Sequence, residues 1–179
     1  KKVLKIVRGG SSIGTLIARD PANVKPEAVD AIFALDSHAV LEELIVGQEL
    51  TVPILGSSAL TPIEIKPPSG AEFDYENKYN GATAEICPPE NISDYIQKEA
   101  QNLAEKVHSA MKCRHLSRVD MMIDASGKVF VLEINTIPGL TDQSLYPKSA
   151  AVSGLPMPKL VEKFAELVKR DFQISYAHS

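Results

Sequence analysis

The chain has 179 residues, 44% of them apolar and 23% charged, with 19 Lys and Arg against 23 Asp and Glu for a formal net charge of −4. That composition fits an ordinary soluble globular protein, and the length fits one compact domain of roughly 100–200 residues. It excludes a membrane-spanning helix, which needs about 18 consecutive apolar residues, and the evenly spread charges offer no positive surface to a nucleic-acid backbone. Cys87 and Cys113 are too few and too far apart for a disulfide framework or a zinc site, and they suit a reducing cytoplasm. The opening KKVLKIVRGG lacks the apolar stretch and small-residue cleavage site of a secretory signal. It enters strand-like sequence at once, without a Met, and the expectation is a portion of a longer protein.

In chain order, Val3 to Val7 reads as a short strand, GGSSIG from Gly9 to Gly14 as a glycine loop, and Thr15 to Ala18 as a second strand. Asp20, Pro21 and Asn23 make a stop. Pro26 then occupies the first turn of a helix whose apolar face is Val29, Ile32 and Phe33, with Val40 beyond its end. Val40 to Ile45, Glu49 to Leu55 and Leu60 to Ile65 read as an antiparallel meander, interrupted by Val46-Gly47-Gln48 and Gly56-Ser57-Ser58. From Lys66 to Ala82, Pro, Gly, Asn and acidic residues surround Phe73, Tyr75 and Tyr79, the composition of a long surface loop, and such loops are usually functional or disordered. Ser93 is a good helix N-cap. Behind it Ile96, Ala100, Leu103, Val107, Ala110 and Met111 recur at three- and four-residue spacing, the stripe of a helix packed on a core. Leu116 to Ile123 and Lys128 to Ile134 are strands joined by Asp124-Ala125-Ser126-Gly127. A loop rich in Thr, Pro, Gly and Ser follows, then a helix from Pro158 to about Phe172. Antiparallel hairpins alternating with helices make the fold class α+β and not the strict βαβ of a doubly wound sheet.

The last hairpin carries the chemistry. A tight turn on Ser126-Gly127 places Asp120 opposite Glu133 and Arg118 opposite Asn135, all on one face. The other face is then Val119, Met121, Ile123, Phe130, Leu132 and Ile134, wholly apolar and therefore the buried one. Facing carboxylates repel across a strand pair unless something positive lies between them. One reading is a polar face that is simply solvated. The other is a hard divalent cation: Mg²⁺ is held by one or two carboxylates plus substrate phosphates, and Asp120, Glu133 and the Asn135 amide oxygen supply such a half-shell. Alternation does not choose between them, and a one-residue slip of the turn undoes the pairing.

LEINTIPGLTDQSL, Leu132 to Leu145, resembles the D-alanine–D-alanine ligase family of the ATP-grasp superfamily, and further segments resemble that family in the same order. GGSSIG resembles its loop over the nucleotide phosphates, VLEELIVGQELTV the hinge and strand that hold adenosine, FDYENKY the mobile loop over the active site, and SRVDMMID the metal strand. The glycine loop alone is a weak signal, lacking both the Lys of a Walker loop and the strand-to-helix setting of a dinucleotide fingerprint. The ordered set is specific, and it runs from about Lys5 to the last helix. It implies an ATP-grasp fold, with residues 1–45 part of the central subdomain (phosphate loop and hinge) and residues 46–179 the C-terminal domain with the metal and D-alanine site.

The implied activity is ATP-dependent ligation of two D-alanines through an acyl phosphate, for peptidoglycan precursor synthesis in the cytoplasm. By the resemblance, Lys5 contacts the nucleotide phosphates, and Ser11, Ser12 and the loop N–H groups cap phosphates and substrate. Glu42 and the backbone of Glu43 and Ile45 read the adenine edge, Glu49 accepts from the ribose hydroxyls, Lys78 reaches the γ-phosphate, and Tyr79 bonds the Ser11 region and closes the lid. Without the resemblance Glu42 and Glu43 read as exposed strand carboxylates. A Tyr after Lys78 resembles the dipeptide-forming branch of the family. Asp120, Glu133 and Asn135 hold Mg²⁺, as a pair of ions, with Mn²⁺ as a substitute. Arg118 stabilises the oxyanion, and Ser144 with the backbone at Gly139 and Leu145 binds the second substrate's carboxylate.

Ile6 and Gly9 depart from the family's pattern, which has Pro and an acidic residue there. The family's N-terminal domain, which binds the first D-alanine and carries most of the homodimer contacts, does not fit before Lys5. For this chain alone the alternatives are an ATP- and Mg²⁺-binding module without turnover, or another ATP-grasp carboxylate–amine ligase. His38, His108, His115 and His178 are scattered, and none receives a role.

Overall fold

A computed structural model describes residues 1–10, 12–67 and 83–176, with side chains described as far as 171. Ser11, Lys78 and Tyr79, to which roles fall above, lie outside the described residues, as do Phe73, Tyr75 and His178. The chain divides into two units, Lys1–Val46 with Pro67–Thr83, and Gly47–Lys66 with Ala84–Ser179.

The first unit, among the described residues, is a three-stranded antiparallel sheet with one α-helix. Strands β1 (Lys2–Ile6), β2 (Thr15–Ala18) and β3 (Ala39–Glu43) lie in the order β2-β1-β3. The glycine loop returns the chain from β1 to β2, closed by Ile6 N–H donating to Gly14 O at 3.1 Å. Helix α1 (Pro26–Leu35) begins on a proline, whose missing N–H costs nothing in a first turn. Its Ile32 is buried, but Phe33 is 47% exposed. One position along a helix is about 100° around its axis, so with Ile32 inward Phe33 leaves the face it was expected to share.

The expected meander from Val40 to Ile65 is only partly formed. Strand β3 pairs with β1, Leu41 facing Leu4, and Leu44 N–H continues that contact to Lys1 O at 3.2 Å. Its chain successor β4 (Gly47–Leu55) belongs to the other sheet. The decisive contact is at Gly47, where a Cβ would stand 1.8 Å from Ile123 O. Glycine lets β4 start against the strand it pairs with, and no tight turn to β3 forms.

In the second unit β4, β5 (Ser58–Ala59), β6 (Ile63–Lys66), β7 (Ala84–Ile86), β8 (Leu116–Asp124) and β9 (Val129–Asn135) form an antiparallel sheet. Its order is β7-β6-β4-β8-β9, with β5 added against β4. On one face Leu50, Val52 and Ile54 of β4 and Val119, Met121 and Ile123 of β8 are buried beneath helix α2 (Asp94–Ala110), which contributes Ala100 and Ala104. Burying such side chains contributes about 1.5–3 kcal/mol each. Ser93 caps α2 as expected, accepting from Ile96 N–H at 3.4 Å, whereas Met111 is exposed at the helix C-cap and not part of the stripe. His108 completes the buried face, its Nδ1 sharing a 2.7 Å hydrogen bond with Ser117 Oγ on β8.

The stretch after β9, expected to be loop, contains helix α3 (Leu145–Val152) before the terminal helix α4 (Met157–Tyr176). Tyr146, Pro147, Ser149 and Ala150 of α3 are all buried, so it has no amphipathic stripe for a sequence to display. Tyr146, Ala150, Leu60 and Leu160 make a second core with Phe164. The Tyr146 hydroxyl donates to Ile54 O at 2.7 Å, and burial raises its pKa. At the start of β8, His115 Nε2 meets Asp171 of α4 at 2.9 Å.

The hairpin β8–β9 has the expected pairs Arg118–Asn135 and Asp120–Glu133, yet its turn is different. Asp124 N–H bonds Lys128 O at 3.0 Å across the loop Ala125-Ser126-Gly127, and Gly127 adopts φ +84°, which only glycine takes without strain. Loops of this length end in such a left-handed residue. The extra loop residue would slip the register, and a bulge between Asp120 and Met121, with Leu132 the additional residue on β9, restores it. The two deviations cancel beyond the bulge. Between bulge and turn they do not: Val129 packs on the core in place of Phe130, whose ring lies 4.6 Å from Lys128 Nζ, and Leu132 is 38% exposed.

Candidate active site

The sheet face opposite α2 carries Glu49, Thr51 and Pro53 from β4 and Arg118 and Asp120 from β8, by the register in which Thr51 faces Asp120 and Pro53 faces Arg118. Strand β9 adds Glu133 and Asn135. All four hairpin residues predicted to act together are therefore on one face, with Asp120 8% exposed, Asn135 half-buried and Glu133 exposed. Arg118 grips Asp120 in two-pronged fashion, Nε to Oδ1 at 2.8 Å and Nη2 to Oδ2 at 2.7 Å, and Thr51 Oγ1 donates to Oδ1 at 2.5 Å. Burial works against the Arg118 charge, but the bonds to Asp120 and the fields of Asp120, Glu133 and Glu49 outweigh it and hold its pKa above the ordinary value.

This donor set suits a hard cation. Among the described residues no group of three or more His, Cys, Asp or Glu is placed to hold a metal, so the set is two carboxylates and an amide. Asn135 Oδ1 accepts from Ile137 N–H at 2.9 Å, which orients it and leaves a lone pair. Asp120 keeps one lone pair on Oδ2 beyond its three donors, and a hard cation held by this set would take its remaining oxygens from water or substrate.

After the hairpin the chain reaches Gly139, where a Cβ would lie 2.6 Å from Ser144 Oγ. Ser144 is the N-cap of α3 but gives it no side-chain cap, its hydroxyl instead bonding Thr141 N and Oγ1 at 3.2 and 2.9 Å. The first-turn N–H groups at Leu145 are thereby left without a side-chain cap, an arrangement that suits a carboxylate.

In the first unit Lys5 Nζ pairs with Glu42 at 2.8 Å, the two standing diagonally on β1 and β3, while Glu43, opposite Lys2, is exposed and Ile45 half-buried. The glycine loop turns through Ile13 N–H to Gly10 O at 3.0 Å with Ser12 at φ 61°, and the Ile6 side chain lies against Gly9 and Gly14, the two departing positions now in contact. Arg8 anchors the base of this loop. Its backbone N–H, Nε and Nη2 all donate to the buried carboxylate of Asp36 at 2.9–3.2 Å, and these bonds hold Asp36 well below the usual carboxylate range.

Thr51 and the Arg8–Asp36 pair were not legible as site residues. Thr51 lies inside an apolar run, and its partner is 69 positions away. Arg8 borders the glycine loop, a signal that could have found it, but Asp36 is a helix end with no motif.

The family described as D-ala D-ala ligase C-terminus matches residues 2–166. A D-alanine–D-alanine ligase of Actinobacillus succinogenes is 42% identical over 166 residues, 92% of this chain and 53% of that protein. The solved structure of the D-alanine–D-alanine ligase from Bacillus anthracis superposes with a TM-score of 0.81 at 32% identity, covering 97% of this chain and 56% of that one. The same enzyme complexed with ATP gives 0.78 at 27% identity, over 97% and 54%. The chain thus spans about half the length of the relatives it matches, and its antiparallel sheets and packed helices are the ATP-grasp portion of those structures. With the fold, the hairpin register and the match along nearly its whole length in agreement, this chain belongs to the D-alanine–D-alanine ligase C-terminal family.

Proposed function

We propose that the protein carrying this chain ligates two D-alanines to D-alanyl-D-alanine with ATP, in the cytoplasm, as a step toward peptidoglycan. The observation that carries this is the Asp120–Glu133 pair in register with Arg118 and Asn135 on one sheet face, in a chain of this family. Residues 1–45 supply the phosphate loop and hinge, and residues 46–179 the metal and second-substrate site. The carboxylate of one D-alanine attacks the γ-phosphate, giving an acyl phosphate and ADP. The amine of the second then attacks that carbonyl, and phosphate leaves.

Lys5 serves the phosphates once nucleotide replaces Glu42 as its partner, and Ser12 with the loop N–H groups caps them. Glu42 and the backbone of Glu43 and Ile45 then meet adenine, and Glu49 the ribose. Asp120, Glu133 and Asn135 hold Mg²⁺, or Mn²⁺ in its place, which offsets the charge of the transferring phosphoryl group. Arg118 donates to the oxygen that becomes negative as the amine adds. Ser144, Gly139 and the N–H of Leu145 orient the second D-alanine by its carboxylate. Ser11, Lys78 and Tyr79 act on the phosphates and the lid on the strength of the resemblance alone. The full-length protein is a homodimer in this reading.

Phosphate release from ATP by the intact protein should require both D-alanine and Mg²⁺, and release that ignores D-alanine overturns the assignment. A second reading follows from the chain's span of about half its relatives: by itself it binds ATP and Mg²⁺ without turnover. Calorimetry with ATP and Mg²⁺ tests the binding, and dipeptide synthesis by the 179-residue chain would refute this second reading.

A further inference from the structure

We infer that Thr51 is a positioning residue that fixes the rotation of the Asp120 carboxylate and leaves only Oδ2 for a divalent cation, an inference resting on the reading of Asp120 as a metal ligand. A carboxylate has two oxygens and about four lone-pair sites. Oδ1 is filled by Thr51 Oγ1 at 2.5 Å and Arg118 Nε at 2.8 Å, while Oδ2 receives Arg118 Nη2 alone, at 2.7 Å. A threonine hydroxyl has one proton, and its other neighbour, Val119 O, is an acceptor at 3.5 Å, so the proton goes to Asp120. The hydroxyl is itself rigid. Thr51 is 2% exposed, faces Asp120 directly across β4 and β8, and has the stiff χ1 of a β-branched residue.

Arg118 shares this work, but it stands two residues from Asp120 on the same strand and is also the group assigned to the oxyanion, so the donor that reaches Oδ1 from a neighbouring strand is Thr51. Thr51 remains on Oδ1 because strand pairing holds it there. The consequence is one-oxygen ligation by Asp120 with a fixed direction. Partners of this kind, one step behind a metal ligand, typically alter metal affinity by about 10–100-fold when removed.

The test is titration of the protein with Mn²⁺ alone, followed by calorimetry and by the paramagnetic signal of the free ion, in wild type, Thr51→Val, Thr51→Ser and Val52→Ala. Thr51→Val keeps the shape and removes the hydroxyl, and should weaken Mn²⁺ binding about 10–100-fold. Thr51→Ser keeps the hydroxyl and should stay within about threefold of wild type. Val52→Ala loosens the same strand from its opposite face, and should lower the melting temperature without weakening Mn²⁺. Wild-type affinity in Thr51→Val, or equal weakening in Val52→Ala, overturns the inference and leaves the metal reading standing. A wild-type protein that binds no Mn²⁺ overturns the metal reading and the inference with it. If Thr51→Val does not fold, Thr51→Ala is read against Thr51→Ser by the same criteria.

Discussion

Arg118 and Glu133 show how much one side chain decides on a shared sheet face. Arg118 neutralises Asp120 in the resting arrangement, and in the proposed reaction the same fork meets the developing oxyanion. Arg118→Ala should lower the rate of dipeptide formation by the intact protein by about 10²–10³, the usual loss when an oxyanion donor is removed. Arg118→Lys should recover little of it, because a single ammonium cannot reproduce two parallel bonds to Asp120. Glu133 stands directly opposite Asp120. Carboxylates so placed cost a few tenths to about 1 kcal/mol. Glu133→Gln should therefore melt no lower than wild type in chelator and gain less than wild type from added Mg²⁺, as calorimetric melting curves in both conditions will show. A loss of stability in chelator equal to that in Mg²⁺ would mean that Glu133 has only a structural role.

Strands and helices here are aligned by a few tight contacts. Gly47 marks the point where β4 begins beside β8, and a methyl group 1.8 Å from Ile123 O cannot be accommodated without parting the strands. Gly47→Ala should destabilise the second unit by about 1–3 kcal/mol or more, measured as a lower urea midpoint. Helix α2 is joined to β8 through His108 and Ser117, and burial holds the imidazole below its ordinary pKa. The unfolded chain then binds a proton more readily than the folded one. The contribution of His108 is present above the unfolded value of about 6.5 and is lost as the pH falls below it. The urea midpoint should drop between pH 7 and pH 5, and His108→Gln should flatten that part of the curve. A wild-type midpoint that does not move over this range would contradict the assignment.

At the scale of the whole chain, nucleotide is the natural probe of the proposed function. If the chain binds ATP with Mg²⁺, its apparent stability rises by mass action, by about 2.7 kcal/mol at a ligand concentration 100 times Kd. An unchanged melting temperature at millimolar ATP and Mg²⁺ would leave the chain without the nucleotide site. Local sequence was enough for much of this. Alternation along Leu116 to Asn135 placed Arg118, Asp120, Glu133 and Asn135 on one face, because side-chain direction in a strand repeats every second residue. The capping of α2 by Ser93 and the Pro26 start of α1 were equally legible, since each depends on neighbours within a turn. Tertiary structure decided what depends on distant partners. It separated β3 from β4, made α3 a helix by burying it from several sides, cancelled a longer turn with a bulge at Leu132, and put Thr51 on Asp120. Sequence by itself determined the α+β class, the family and the residues that carry charge to the site, since these are written in side-chain type and short-range period. Which oxygen of Asp120 stays open was settled only when β4 came within hydrogen-bonding distance of β8, because a lone pair is filled by whatever packing brings to it.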